Sequence, residues 1–440
     1  MLSTVHKVRA QLDPAAVGHE LHATMARLFP ICRSITGPGL RQTLALLAEE
    51  VPGLSVHGVA SLSQVFDWTV PPEWRIRDAW IKGPDGDKIV DFTRCNLHVV
   101  NYSTPVRCTL SLEELRPHLY SLPDQPDWIP YRTSYYKRDW GFCLAHRQLE
   151  RLRPGQYEVC VDADLDEGGK LEWGEALLPG ESDEEILLST HVCHPSLCND
   201  NLSGVVVLAA LARALAGAKR RYSYRILFIP GGIGSVAWLS QNQERVSRIR
   251  HGLVLNCLGD EAPFTYKLSR RGDAEVDAAA RCALRDARVA YRVIGFTPYG
   301  YDERNWCSAR FDLPVGSLTR STHSTFPGYH SSGDDLDLVR PQVLGDSLAM
   351  YLDVLGVLER NQRYQSLVPD AEAQLGKRGL YGLQGGLPRR ARPEVAMLWV
   401  LNHSDGHHSL LDTARASGLT FEELADAADT LLQHGLLRPV

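Results

Sequence analysis

The stretch from Glu185 to Gly217, E-I-L-L-S-T-H-V-C-H-P-S-L-C-N-D-N-L-S-G-V-V-V-L-A-A-L-A-R-A-L-A-G, constrains this chain more than any other. Ile186 to Leu188 form a short apolar run, with acids before it and Ser189 and Thr190 after it, which reads as a buried strand ending at His191. His194 follows, then Asn199-Asp200-Asn201, and Ser203 opens an apolar, alanine-rich helix that stops near Gly217. Two histidines and an aspartate thus share one loop between a strand end and a helix start, where α/β sheets bind ligands. A histidine near a strand end is more often a hydrogen-bonded structural residue. The grouping is what points to a metal, and imidazole with carboxylate suits zinc. Cys193 and Cys198 lie in the same loop, but no second cysteine pair has finger spacing, so they read as packing residues.

A chain of 440 residues, 44% of them hydrophobic, has room for two or three domains with sizeable cores. The net charge of -6 gives no sign of a nucleic-acid-coating surface or a polybasic membrane patch. The ten cysteines are scattered, with no C-x-x-C, which predicts free thiols, no disulfide (none between Cys193 and Cys198) and a cytoplasmic protein. The first residues lack the apolar core of a signal peptide, and no apolar run reaches transmembrane length.

In chain order, residues 14–50 read as two helices around a turn holding Arg33, expected to be exposed. From about Ser55 the texture becomes short strands and turns, with Trp68, Trp74 and Trp80; L-H-V-V-N-Y-S reads as a further strand, and Q-Y-E-V-C-V-D as another. After the 185–217 stretch come strands at 222–230, 251–260 and 314–319, and helices after Gly231-Gly232, at 273–289 and from Pro341 to Leu358. Strand and helix alternate, which predicts an α/β fold with a doubly wound, mostly parallel sheet. A turn-rich boundary falls at 361–392. Beyond it three helical patterns, the second broken at Gly418 and the third starting after Thr420, predict a winged-helix domain. Its third helix, F-E-E-L-A-D-A-A-D-T-L-L-Q-H, has no Lys or Arg, so nucleic acid is not the expected partner.

The α/β part resembles the zinc aminopeptidases with co-catalytic metals. His191 stands where that family has its first histidine, Asp200-Asn201-Leu202-Ser203-Gly204 matches its bridging-aspartate motif, and Tyr329-His330-Ser331-Ser332-Gly333-Asp334-Asp335 its late histidine motif. There are departures. Cys193 replaces an aspartate, Gly231 and Gly232 replace a glutamate pair (a general base and a ligand of the second metal), and Cys257 replaces the third-strand aspartate, with Asp260 three residues late. The whole chain resembles a narrower family that combines this fold with an inserted β domain and a winged-helix tail, carried by T-H-V-C-H-P-S, S-R-R-G, P-Y-G-Y-D-E-R, P-Y-R-T-S-Y-Y-K-R-D-W-G-F and Q-L-G-K-R-G-L-Y. The implied domains are 1–54 with 155–362 for the aminopeptidase-like part, 55–154 for a small β-rich insert and 363–440 for the winged helix.

The resemblance leaves His191, Asp200 and His330 as ligands of one zinc, with His194 as an orienting partner or an alternative ligand. With the glutamate pair gone, Glu303 in Y-G-Y-D-E-R is the expected catalytic base. Asp302, Arg304, Arg271 and His323 are expected at the substrate, and Asp260 or Asp302 stands next in line as base. The implied function is an aminopeptidase-like amidohydrolase acting on a small peptidyl or N-acyl substrate in a biosynthetic pathway. Two alternatives stay open: an inactive scaffold that keeps the fold, and a ligand-sensing regulator whose tail binds DNA, against which the acidic third helix argues. Expected partners are that small substrate and, as an open option, further copies of the chain.

Overall fold

The computed structural model describes residues 3–380 and 393–440; the 381–392 part of the expected turn-rich boundary lies outside the described residues. An eight-stranded sheet organises the larger part of the chain. Its strands, in chain order, are β1 (Ser55–Ala60), β2 (Lys170–Leu178), β3 (Glu185–His191), β4 (Ser223–Ile229), β5 (Ile249–Leu255), β6 (Phe264–Lys267), β7 (Tyr291–Ile294) and β8 (Val315–Thr319). They lie side by side as β1-β2-β4-β3-β5-β8-β6-β7. The four central strands are parallel, Leu188 of β3 facing Ile226 of β4 and Leu253 of β5. Towards the edges β2 and β6 run antiparallel to their inner neighbours, so the sheet is mixed.

Every residue of β3 and of β4 is buried, as a strand covered on both faces requires. Alternation sorts them: Ile186, Leu188, Tyr224, Ile226 and Phe228 pack into one apolar cluster, Leu187, Leu227 and Ile229 into another. The first cluster lies beneath helices α1 (Pro14–Leu28), α2 (Ser203–Ala216) and α5 (Pro341–Arg360); the second holds α3 (Ile233–Gln241) and reaches into the inserted β region. Helix α4 (Glu275–Asp286) packs on α5. Near the start of β4, Arg225 is buried between Glu185 of β3 (2.6 and 2.8 Å) and Glu175 of β2, and Glu175 also accepts from Trp238 and Trp173.

The strand Ser55–Ala60 belongs to this large sheet, so the chain leaves it only after Ala60 and returns at Lys170. Between lie four antiparallel strands, ordered Lys88–Asp91, Glu73–Lys82, Gln156–Asp166 and Val106–Ser111. The expected strand L-H-V-V-N-Y-S is a correction: Asn96–His98 is a 3-10 turn, and Val99 and Asn101 make only isolated bridges. Trp74 is buried with its indole N–H on the Ser103 carbonyl, whereas Trp68 is 47% exposed. Arg33 corrects a second expectation. It is buried, its guanidinium donating to the carbonyls of Leu28 and His194.

In the tail, α6 (Pro393–His403), α7 (Leu410–Ser417) and α8 (Phe421–Gln433) pack beside a small sheet of Asp405–Ser409, Arg363–Ser366 and Leu437–Pro439. Gly418 ends α7 in the left-handed conformation at φ 71°, which glycine adopts without strain, and Thr420 with Glu423 forms a capping box at α8. No helix among the described residues is long and apolar enough to cross a membrane.

Candidate metal centre

Strand β3 delivers His191 to the carboxyl edge of the parallel strands, and the loop that follows, before α2, delivers His194 and Asp200. The loop between β8 and α5 brings His330 over them. His191 Nε2 lies 3.0 Å from Asp200 Oδ1, His330 Nε2 3.1 Å from Asp200 Oδ2, and His194 Nε2 4.0 Å from the same Oδ2. Ligand atoms of His191, His194 and Asp200 all fall within 4.8 Å of one another. Two donors on one tetrahedral zinc stand about 3.3 Å apart. The His191–Asp200 and His330–Asp200 separations are near that, and His194 stands wider at 4.0 Å, so the donor types suit zinc with a small closing movement. The set whose donor atoms are all mutually close is His191, His194 and Asp200; His330, expected as the third ligand, lies beside it with Nε2 3.1 Å from Asp200 Oδ2.

Neighbouring groups fix these side chains. Asn256 Oδ1 lies 3.0 Å from His191 Nδ1; a proton on Nδ1 donated to it leaves the Nε2 lone pair facing Asp200. Asp334 accepts from the backbone N–H groups of Asn199 (2.6 Å) and Asp200 (2.8 Å), locking the loop that carries the aspartate. Burial pushes the Asp334 carboxyl up to about 8. Asp334 and Asn256 were missed by reasoning from sequence, although Asp334 sits inside the late histidine motif. His330 and Cys257 both hold positive φ, 53° and 47°, a conformation that side chains rarely adopt and that clusters at functional sites.

Burial would raise the Asp200 carboxyl, but the three histidines outweigh it and hold the group well below the ordinary carboxylate range. Burial also works against a charged His191, yet the hydrogen bond and charge of Asp200 win and raise it. His194 goes the other way: burial first, then the charges of His191, His330 and Arg33, lower it well below the usual imidazole value. A neutral imidazole is the form that binds a metal. Burial pushes the Cys193 thiol up to about 12, so it is no ready thiolate ligand, and all ten cysteines are free.

A cavity of about 240 Å³ opens over this cluster. The insert contributes Tyr131, Thr133 and Tyr135 to its wall, tied down by the Tyr131 N–H on the His330 carbonyl. The 299–304 segment contributes Tyr299, Tyr301, Asp302 and Arg304, and the late loop His323 and Tyr329. The rings of Tyr301 and Tyr329 stack on His191 and His330 at 5.4 and 4.0 Å. His323 meets Tyr299 and Tyr301 edge-on.

Two expected site residues are placed elsewhere. Glu303 is buried against Lys267 at 2.8 Å and is not among the residues that wall the cavity, because the short helix Glu303–Trp306 turns it under the loop. Arg271 is paired with Asp312 at 3.1 Å, as is Arg270, at a distance from this cavity. Asp260 is held by Asn199 and Ser321 outside the cavity wall. Asp302 is the carboxyl that does face the cavity. Its Oδ1 accepts from the Gly232 N–H (2.8 Å) and the Ser235 hydroxyl (2.7 Å), and its Oδ2 is buried without a partner. A β-carbon at Gly231 would stand 3.5 Å from His191 and from Cys193, so a side chain there would border the metal cluster.

The fold is that of the zinc aminopeptidases. A zinc aminopeptidase from Bacillus subtilis superposes with a TM-score of 0.57 at 10% identity, over 77% of this chain and 94% of that one. The chain itself belongs to the family described as "Domain of unknown function (DUF4910)", whose model matches residues 22–361, and a winged helix-turn-helix model matches 362–439. A Clostridium acetobutylicum protein, named provisionally for polysaccharide biosynthesis and for an aminopeptidase-like domain, is 47% identical over 428 residues, covering 97% of this chain and 98% of its own. A crystal structure described as a peptidase from the same organism superposes with a TM-score of 0.92 at 45% identity, over 97% of both chains.

Proposed function

We propose that this chain is a single-zinc amidohydrolase that cleaves an amide bond in a small peptidyl or N-acyl substrate. The observation that carries this reading is the meeting of His191, His194, Asp200 and His330 beneath a small cavity that Asp302 also lines, with its Oδ2 buried and unpaired. Zinc held there would supply a Lewis acid and lower the pKa of water at the site to about 7. Asp302 would take the proton of the attacking water on Oδ2 while Gly232 and Ser235 hold Oδ1 still, a contribution of roughly 10²–10⁴ in rate. Burial raises the Asp302 carboxyl, against the pull of Ser235, His191 and Gly232, which makes it a stronger base than an exposed aspartate. Glycines at 231 and 232 leave no carboxylate there for a second metal, which supports one ion rather than two.

The name of the Clostridium relative supports a setting in polysaccharide biosynthesis. Free, mostly buried thiols support a cytoplasmic location. The same two glycines favour a second reading, an inactive binding scaffold of the same fold. Metal analysis of the purified protein, run beside a screen of aminoacyl and N-acyl amides, separates them. The hydrolase reading expects zinc and turnover of at least one amide class; zinc without turnover across the screen favours the scaffold.

A further inference from the structure

Arg304 walls the metal cavity, half-buried, and has no hydrogen bond or ion pair among the described residues. The other unpaired arginines among the described residues, such as Arg281 and Arg288, are exposed. Arg41, Arg75, Arg225, Arg270 and Arg271 each hold a carboxylate. Its position explains the vacancy. Nη2 of Arg304 lies 3.8 Å from where a β-carbon at Gly232 would stand, so a glutamate at 232 would face it directly. Gly232 has none to offer and, at φ 73°, holds a conformation that disfavours any side chain.

We propose, resting on the hydrolase reading above, that the substrate carries a carboxylate close to the scissile amide and that Arg304 is the residue that selects it. A guanidinium presents a planar fork that matches a carboxylate in two parallel hydrogen bonds. A phosphate dianion fits less well. The nearby cation, Lys267, is already neutralised by Glu303, and the free oxygen of Asp302 on the same wall repels a second negative charge. A cavity of about 240 Å³ admits a single residue, which places the anionic group within one residue of the metal cluster.

The test is calorimetry on the full-length, zinc-supplemented protein with three probes: N-acetylglycine, its uncharged amide, and inorganic phosphate. The wild type should bind N-acetylglycine at least about tenfold more tightly than the amide, Arg304→Gln should erase that preference, and Arg304→Lys should restore part of it. Zinc content, measured on the same samples, should be equal in all three proteins. A preference that survives Arg304→Gln would mean that the carboxylate goes to the metal instead, and overturns the proposal. So does the absence of any preference in the wild type, or phosphate binding tighter than N-acetylglycine that is lost in Arg304→Gln. Loss of zinc or of amide hydrolysis with the charge preference intact would instead sink the hydrolase reading and leave the selectivity of Arg304 standing.

Discussion

Asp302 and Glu303 are neighbours whose side chains part company. The backbone turns into a short helix between them, so one carboxyl enters the cavity and the other goes beneath the loop to Lys267. The string Y-D-E-R shows two acids near a candidate metal site, but which one faces inward depends on a turn that sequence spacing does not specify. The candidate ligands were legible because His191 ends a strand, Asp200 precedes a helix start and His330 sits in a recognisable late histidine motif. Asp334 and Asn256 were not, because their role is to accept or orient backbone and ring groups brought together by the fold. Asp302→Asn is expected to keep its zinc and lose at least about a hundredfold in turnover, whereas Glu303→Gln should retain turnover per folded molecule. Steady-state rates normalised to bound zinc decide it, and equal losses in both variants would move the base elsewhere.

At the level of elements, the long apolar strands β3, β4 and β5 were readable because burial on both faces writes a continuous hydrophobic run. β6 and β7 are four residues each, too short to show a period, and β1 is largely exposed, so its pattern carries little apolar signal. β2 has charged residues inside its run because Glu175 serves Arg225, and a buried charge breaks the alternation that marks a strand. Arg225→Ala would leave Glu185 and Glu175 buried without their partner and should cost about 3–5 kcal/mol, read from denaturant unfolding; a loss under about 1 kcal/mol would show that water replaces the guanidinium.

The junction of α/β sheet and insert gives a pH-dependent prediction. Burial would raise the Glu73 carboxyl, but Arg41 and Arg75 and the Lys170 N–H outweigh it and bring it from an ordinary 4.5 to about 2. A depressed folded-state pKa adds stability that is complete above pH 4.5 and is lost as pH falls towards 2. Both arginines are partly exposed, so screening limits the gain to about 1–2 kcal/mol. Glu73→Gln should therefore be less stable than wild type by that amount at pH 7, with the gap closing across the same interval. A gap that stays constant down to pH 2 would show that the pairing is not what Glu73 contributes.

For the whole molecule, three parts meet with different relations to the chemistry. The sheet holds the donors, the insert walls the cavity through Tyr131 and Tyr135, and the winged helix docks on the far helices through Arg360 with Asp426 and Asp429, and Arg285 with the carbonyls of Ala414 and Leu419. The acidic face of α8 that argued against nucleic acid is partly spent on that docking, since Asp426 and Asp429 belong to it. Everything proposed for the site depends on one ion held by this chain's own side chains. Zinc stoichiometry of the purified protein, by elemental mass spectrometry after dialysis, tests that directly. The account predicts about one zinc per chain in the wild type and less than about a tenth in a folded Asp200→Ala variant. Two zinc ions per chain, none, or an unchanged zinc content in Asp200→Ala would contradict it.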